Sequence, residues 1–182
     1  MTPDVMAAIT VWSGRLRDLD HEELVVLDPD TGALLWHGVG DAYYCPGPDP
    51  EMTRGRVLLH NHLVDTSFSE LDIEALFQGQ AAVEVVVSPT RRYTLARTPA
   101  THHVSPGCFR KTARRHLAAL WDEYRPEEFG LDAWGLAYHH PAVAATAAAY
   151  GLAYRVERLA DGVVEFDNQG GPTPTWLEPL EE

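Results

Sequence analysis

The chain has 182 residues and a 45% hydrophobic fraction, enough for one domain with a substantial core. Its 27 acidic residues against 14 basic ones give a net charge of -13, which repels a phosphate backbone and argues against nucleic acid as a partner. Cys45 and Cys108 are too few for a disulfide framework and form no C-x-x-C pair, so they read as buried or unbridged thiols.

The N-terminal stretch MTPDVMAAITVW has no basic region ahead of an apolar one, and no segment approaches the roughly 20 apolar residues needed to span a bilayer. The expectation is a cytoplasmic protein without membrane contact. Residues 4 to 17 carry Val5, Ile9, Trp12 and Leu16 at helical spacing behind a Thr-Pro start, which predicts a first helix. LVVL (24 to 27), the turn DPDTG (28 to 32) and ALLWH (33 to 37) read as a hairpin. AYYCPGPDP then breaks regularity with three prolines.

RVLLHNH (56 to 62) reads as a short buried strand that delivers His60 and His62 at its end, and SELDIEALFQ (69 to 78) as a helix with Ser69 at its N-cap. AAVEVVV (81 to 87) and YTLAR (93 to 97) form a further strand pair, for a sheet of at least five strands. Phe109, Ala113, Leu117, Leu120, Trp121 and Tyr124 make an apolar helical stripe, with Arg110, Lys111, Arg114 and Arg115 largely off it as the one basic face.

Residues 126 to 140 are rich in aromatics, Gly and Pro without a period. PAVAATAAAY reads as a helix with Pro141 at its first position and Gly151 at its end. LAYRVERL and VVEF return as strands. Residues 1–166 are expected to form a single domain with a helical second half, and residues 167–182 a flexible tail. The chain shows no internal repeat.

Two histidines at i and i+2 on an extended segment point to the same side, so both imidazoles can reach one ion. Asp72 lies in the first turn of the following helix, where the dipole favours a carboxylate. His60, His62 and Asp72 together would leave one tetrahedral position for water, the open arrangement of catalytic zinc. A general base is also needed, and HEELVVLD supplies Glu22 and Glu23. Adjacent strand residues face oppositely, so one of the two can face the metal, and parity alone does not choose between them. Ser69 with Asp72 three residues on also has the form of a capping box, a role compatible with the other.

Three patterns mislead. The literal string HNH is unrelated to the nuclease family of that name, whose residues are spread over tens of positions. HEELV lacks the second histidine of an H-E-x-x-H helix. His102, His103, His139 and His140 have no carboxylate partner at a sensible spacing and read as surface or packing residues, with His140 able to line a substrate groove.

A glutamate ahead of the first strand, HNH and SFSELD together resemble the JAMM, or MPN-plus, metallopeptidases, whose pattern is Glu, then His-x-His, then Ser-x-x-Asp. The likeness is closest to prokaryotic JAB-like domains and covers about residues 20 to 97. It implies an α/β fold, a mixed β-sheet flanked by helices, JAB/MPN-like and related in topology to the cytidine deaminases. It implies His60, His62 and Asp72 as ligands of Zn2+, Ser69 as a stabiliser of the oxyanion, and Glu22 rather than Glu23 as the base. Leu63 stands where that branch has proline.

The activity implied is zinc-dependent hydrolysis of peptide or isopeptide bonds in a protein or peptide substrate, with a ubiquitin-like conjugate among the candidates. The alternative is a non-catalytic JAMM-like scaffold that binds a partner through Phe129 to Tyr138. A deaminase is disfavoured because the chain has no P-C-x-x-C segment. The sequence fixes neither the substrate nor the oligomeric state.

Overall fold

The computed structural model describes residues 1–42, 44–101 and 140–169, and between them 107, 108, 111, 112, 114–116 and 118. Among these, helix α1 is Pro3–Leu16, and the Thr2 hydroxyl accepts a hydrogen bond from the Val5 N–H to cap it. β1 (Glu23–Leu27) and β2 (Leu34–Val39) form the expected hairpin. A four-residue helix not foreseen in the proline-rich stretch, α2 (Pro50–Thr53), starts from an Asp49 cap. β3 (Val57–Asn61), α3 (Glu70–Gln78), β4 (Val83–Val87) and β5 (Arg91–Ala96) follow. α4 (His140–Ala149), β6 (Ala153–Arg158) and β7 (Val164–Asp167) complete the described elements.

The protein is α/β, with one mixed seven-stranded sheet in the order β2-β1-β3-β4-β5-β6-β7, where at least five strands were expected. Only β3 and β4 run parallel; every other neighbouring pair is antiparallel. A parallel pair needs a crossover, and α3 is that crossover. It therefore begins just beyond the C-terminal end of β3.

Both central strands are buried along their whole length, which explains their near-continuous Val and Leu sequence. Val25, Leu27, Val57, Leu59, Val85 and Val87 pack on one face with Val5, Ile9 and Leu16 of α1. On the other face Val26, Leu58 and Val86 pack with Ile73 and Leu76 of α3 and Val143, Ala144 and Ala147 of α4. Each Val, Leu or Ile among them, fully buried, contributes about 1.5–3 kcal/mol.

α4 begins at His140, so Pro141 is its second residue. Gly151 ends it at φ 70, where a Cβ would stand 2.4 Å from the Ala100 carbonyl oxygen. The Leu152 N–H donates to the Ala147 carbonyl at 2.9 Å across that turn. His140 is a packing residue, 2% exposed, its Nδ1 2.9 Å from the Tyr154 hydroxyl and its ring against Tyr93 and Phe166.

The described residues between 107 and 118 are helical. The apolar stripe from Phe109 to Tyr124, Arg110, the stretch from Phe129 to Tyr138, His102, His103, His139 and the tail from residue 170 onward lie outside the described residues. Among the described residues no helix is long and apolar enough to cross a membrane.

Candidate metal centre

The pairing of Leu24 with His60 across β1 and β3 sets the faces of the site. Side chains alternate along each strand, so Leu58 and His60 share the α3 face with Leu24, and Glu22, two residues before Leu24, falls on that face too. Glu23 falls on the other, where His21 Nε2 lies 3.1 Å from its Oε1 and His37 Nε2 2.8 Å from its Oε2. The structure thus separates the two glutamates that the sequence left together. Glu22 lines the same groove as His60, His62, Ser69 and Asp72, with Leu24, Leu58, Tyr44, Pro48 and Leu71 forming apolar walls around a volume of 490 Å³.

His60, His62 and Asp72 converge on one point. His60 Nε2 is 3.2 Å from His62 Nε2, His60 Nε2 is 3.3 Å from Asp72 Oδ1, and His62 Nε2 is 3.4 Å from Asp72 Oδ2. A tetrahedral zinc with ligands at about 2.0–2.1 Å separates its ligand atoms by about 3.3–3.4 Å; the three contacts are close to that length, the two to Asp72 being made by different carboxylate oxygens, and one donor atom from each residue lies within 4.8 Å of the others. Among the described residues this is the one group of three or more His, Cys, Asp or Glu side chains able to hold a metal ion, and it has three members.

Asp72 is placed by local backbone chemistry. Its N–H donates to the Ser69 hydroxyl oxygen at 3.3 Å while the Ser69 N–H donates to Asp72 Oδ2, a reciprocal capping box with aspartate as its acid. The cap and the ligand are the same side chain: the Ser69 N–H fixes the carboxylate, which turns toward both imidazoles. The Ser69 hydroxyl accepts in this arrangement, and its own hydrogen is not used by it.

The tautomer of His62 follows from its other nitrogen. Nδ1 lies 3.3 Å from the Thr66 carbonyl oxygen and 3.0 Å from the Thr66 hydroxyl. A carbonyl can only accept, so Nδ1 carries the hydrogen and Nε2 presents a lone pair to the triangle. His60 Nδ1 points toward Glu84 of β4, 3.9 Å from its Oε1; His60 Nδ1 and Glu84 Oε2 are both buried and make no hydrogen bond. Burial, with the charge of Asp72 added, pushes the Glu84 carboxyl well above its ordinary range.

Electrostatics within the triangle favour a cation. Burial pushes the Asp72 carboxyl up, but His60 and His62 together outweigh it and hold the group well below the usual carboxylate range. Burial pushes His62 down, yet Asp72, Glu22 and Thr66 together lift it above its ordinary value. Burial raises Glu22, and His62 and His60 offset part of that rise. A carboxyl raised above its ordinary range takes up a proton more readily than a free one.

The segment after His62 carries Leu63 in place of the proline of the resembled family and is held by other means. The His62 N–H donates to the Val87 carbonyl at 2.8 Å. Asp65, 8% exposed, accepts from the Ser88 hydroxyl and from both the N–H and the hydroxyl of Thr90. Asp65, Thr66, Glu84 and Asn61 all serve the site and were not singled out in the sequence. The partners of Asp65, Glu84 and Asn61 lie in other elements, Thr66 meets His62 four residues before it, and only the polar intrusion of Glu84 into AAVEVVV offered a signal.

The expected basic face is present in part: Lys111, Arg114 and Arg115 line an open cavity with Gly107 and Ala118, away from the triangle's lining residues. Comparison with models of protein families, with curated proteins and with solved structures finds no significant match for this chain.

Proposed function

We propose that the protein is a zinc-dependent hydrolase of peptide or isopeptide bonds with a JAMM-like fold and site. The observation that carries this is the convergence of His60 Nε2, His62 Nε2 and the Asp72 carboxylate, with contacts of 3.2–3.4 Å and one donor atom from each residue within 4.8 Å of the others. Among the described residues the group has three members, the number of protein ligands in an open catalytic site. His60, His62 and Asp72 would hold a zinc ion, which would supply Lewis-acid polarisation of a carbonyl and acidification of water near neutral pH.

The remaining chemistry belongs to the chain. Glu22, on the same face and in the same groove, takes a proton and delivers it to the leaving amine. The Ser69 hydroxyl, whose oxygen already holds the Asp72 N–H, donates its hydrogen to the oxyanion that develops on the scissile carbonyl. Leu24, Leu58, Tyr44 and Leu71 bound the groove and exclude water from the bond under attack.

Zinc content of the purified wild type beside His62→Ala tests the metal assignment. About one equivalent should fall to near none, because two ligands do not hold zinc at ordinary free concentrations. Equal, negligible zinc in both proteins under metal-replete conditions defeats it. Cleavage of a fusion of two folded domains through a Gly-Gly junction, slowed about 100- to 10,000-fold by Glu22→Gln with zinc retained and a residual rate still measurable, tests the hydrolytic assignment.

A further inference from the structure

Asn61 stands between the two histidines and, by strand alternation, faces the opposite side of β3. It is 1% exposed, and its amide reaches the segment that leads into β1. Asn61 Oδ1 accepts from the Glu23 N–H at 2.8 Å, and Asn61 Nδ2 donates to the His21 carbonyl at 2.8 Å. A donor and an acceptor are engaged at once, so the orientation of the amide is fixed by its partners.

Those partners are the backbone groups on either side of Glu22. The remaining two groups are taken from the β2 side: the Glu22 N–H donates to the Asp41 carbonyl at 2.7 Å, and the Glu22 carbonyl accepts from the Gly40 N–H at 2.8 Å. The backbone pairing of β1 with β3 runs only as far as Leu24 and His60, because β3 leaves the sheet after Asn61. Here the Asn61 side chain stands in for the missing strand and completes the ladder around Glu22. Only a side-chain amide offers both functions at this reach; aspartate would set an oxygen against the His21 carbonyl, and serine is too short.

We infer that Asn61 is a positioning residue that fixes the Glu22 carboxylate relative to the His60, His62 and Asp72 group. This rests on the proposed role of Glu22 and extends it: the HNH segment supplies two ligands from one face and the restraint on the base from the other. Loss of the amide leaves the ligands intact while Glu22 gains freedom. A misplacement of about 1 Å in a catalytic group is enough to cost on the order of 100-fold in rate.

The test uses the full chain loaded with cobalt(II), as wild type, Asn61→Ala, Glu22→Gln and the double variant. Asn61→Ala should keep about one equivalent of cobalt, since every ligand remains. The pH midpoint of its visible absorption should move in the same direction as that of Glu22→Gln, and the double variant should match Glu22→Gln alone. On the Gly-Gly-linked fusion, kcat should fall roughly 10- to 100-fold with KM within about twofold, and not at all further in the Glu22→Gln background.

An Asn61→Ala absorption profile that superimposes on wild type, or equal fold losses in both backgrounds, overturns the positioning role alone. Should Asn61→Ala fail to fold by circular dichroism, Asn61→Asp, isosteric and still able to accept from the Glu23 N–H, must show the same dependence on Glu22 or the inference fails. Wild type that binds no cobalt, or binds it with a profile unchanged by Glu22→Gln, defeats the proposed function and the positioning role with it.

Discussion

Asp65→Ala is the substitution that separates the loop after His62 from the ligands themselves. Asp65 accepts three hydrogen bonds, from the Ser88 hydroxyl and from the N–H and hydroxyl of Thr90, and it is 8% exposed. A hydrogen bond to a charged acceptor is worth about 1.5–3 kcal/mol, but the three share one carboxylate, and once it is gone the buried Ser88 hydroxyl can turn to the Arg91 carbonyl 3.2 Å away and the exposed Thr90 hydroxyl to water. The expected loss is therefore about 3 kcal/mol, nearer one such bond plus an unpaired Thr90 N–H than the full sum. For a chain of this size that lowers Tm by roughly 6–12 °C.

A second effect follows from position. Asp65 anchors the segment that carries Thr66, and Thr66 holds the tautomer of His62. Zinc affinity should drop about 10- to 100-fold, the usual consequence of losing a group that orients a ligand. Thermal unfolding by circular dichroism in EDTA gives the first number, and zinc competition against a chromophoric chelator gives the second. Asp65→Asn, which keeps the shape and one acceptor oxygen, should fall between wild type and Asp65→Ala in both. A Tm within about 2 °C of wild type refutes the anchoring role, and a large Tm loss with unchanged zinc affinity refutes its link to His62.

Two further outcomes concern pH. Because His62 is lifted above its ordinary value, protons compete with a metal for its Nε2 beginning above the pH at which an ordinary histidine titrates. Zinc affinity measured by competition should already decline between about pH 7.5 and 6.5, and an affinity flat across that range contradicts the assignment. Glu84 has the opposite sign from a stabilising carboxylate: its folded pKa is raised, so its contribution is fully present below the unfolded value and is lost as pH rises through the folded one. In EDTA, Glu84→Gln should match wild type near pH 4 and become relatively more stable toward pH 7.5; parallel Tm profiles for the two would show that burial does not burden this carboxyl.

The parts of the site that were legible in the sequence are those built within a few residues. His60 and His62 share a face because strand side chains alternate, and Asp72 turns back because Ser69 caps its helix; both facts are visible in the thirteen consecutive letters from His60 to Asp72. The choice between Glu22 and Glu23 needed the register of β1 against β3, which joins residues 36 positions apart in the pairing of Leu24 with His60. Asn61 was read only as the residue between two ligands, since its hydrogen bonds go to positions 38 and 40 residues earlier. The anchoring of Asp65 on Ser88 and Thr90 was hidden for the same reason, because a lone aspartate in a polar loop carries no mark of a partner 23 or 25 residues ahead. α2 escaped notice because three prolines in nine residues read as irregular, although Pro50 at the first helical position starts one turn well.

The composition of the central strands makes the metal centre harder to explain as packing. Apart from Asn61, β3 and β4 are otherwise Val and Leu, and both faces of this pair are covered. Into that setting the chain inserts His60 at 7% side-chain exposure and Glu84 at 1%, with Asp72 and His62 closing over them at 15% and 12%. Stability alone favours apolar residues in such places, since replacing buried ionisable groups by well-packed hydrophobic ones is commonly neutral or stabilising. Helix capping accounts for Ser69 and for the carboxylate of Asp72, but it does not require two imidazole nitrogens 3.2 Å apart, one of them stripped of its hydrogen by the demand of Thr66. Two imidazole nitrogens brought that close to each other and to a carboxylate form a group that could hold a metal ion.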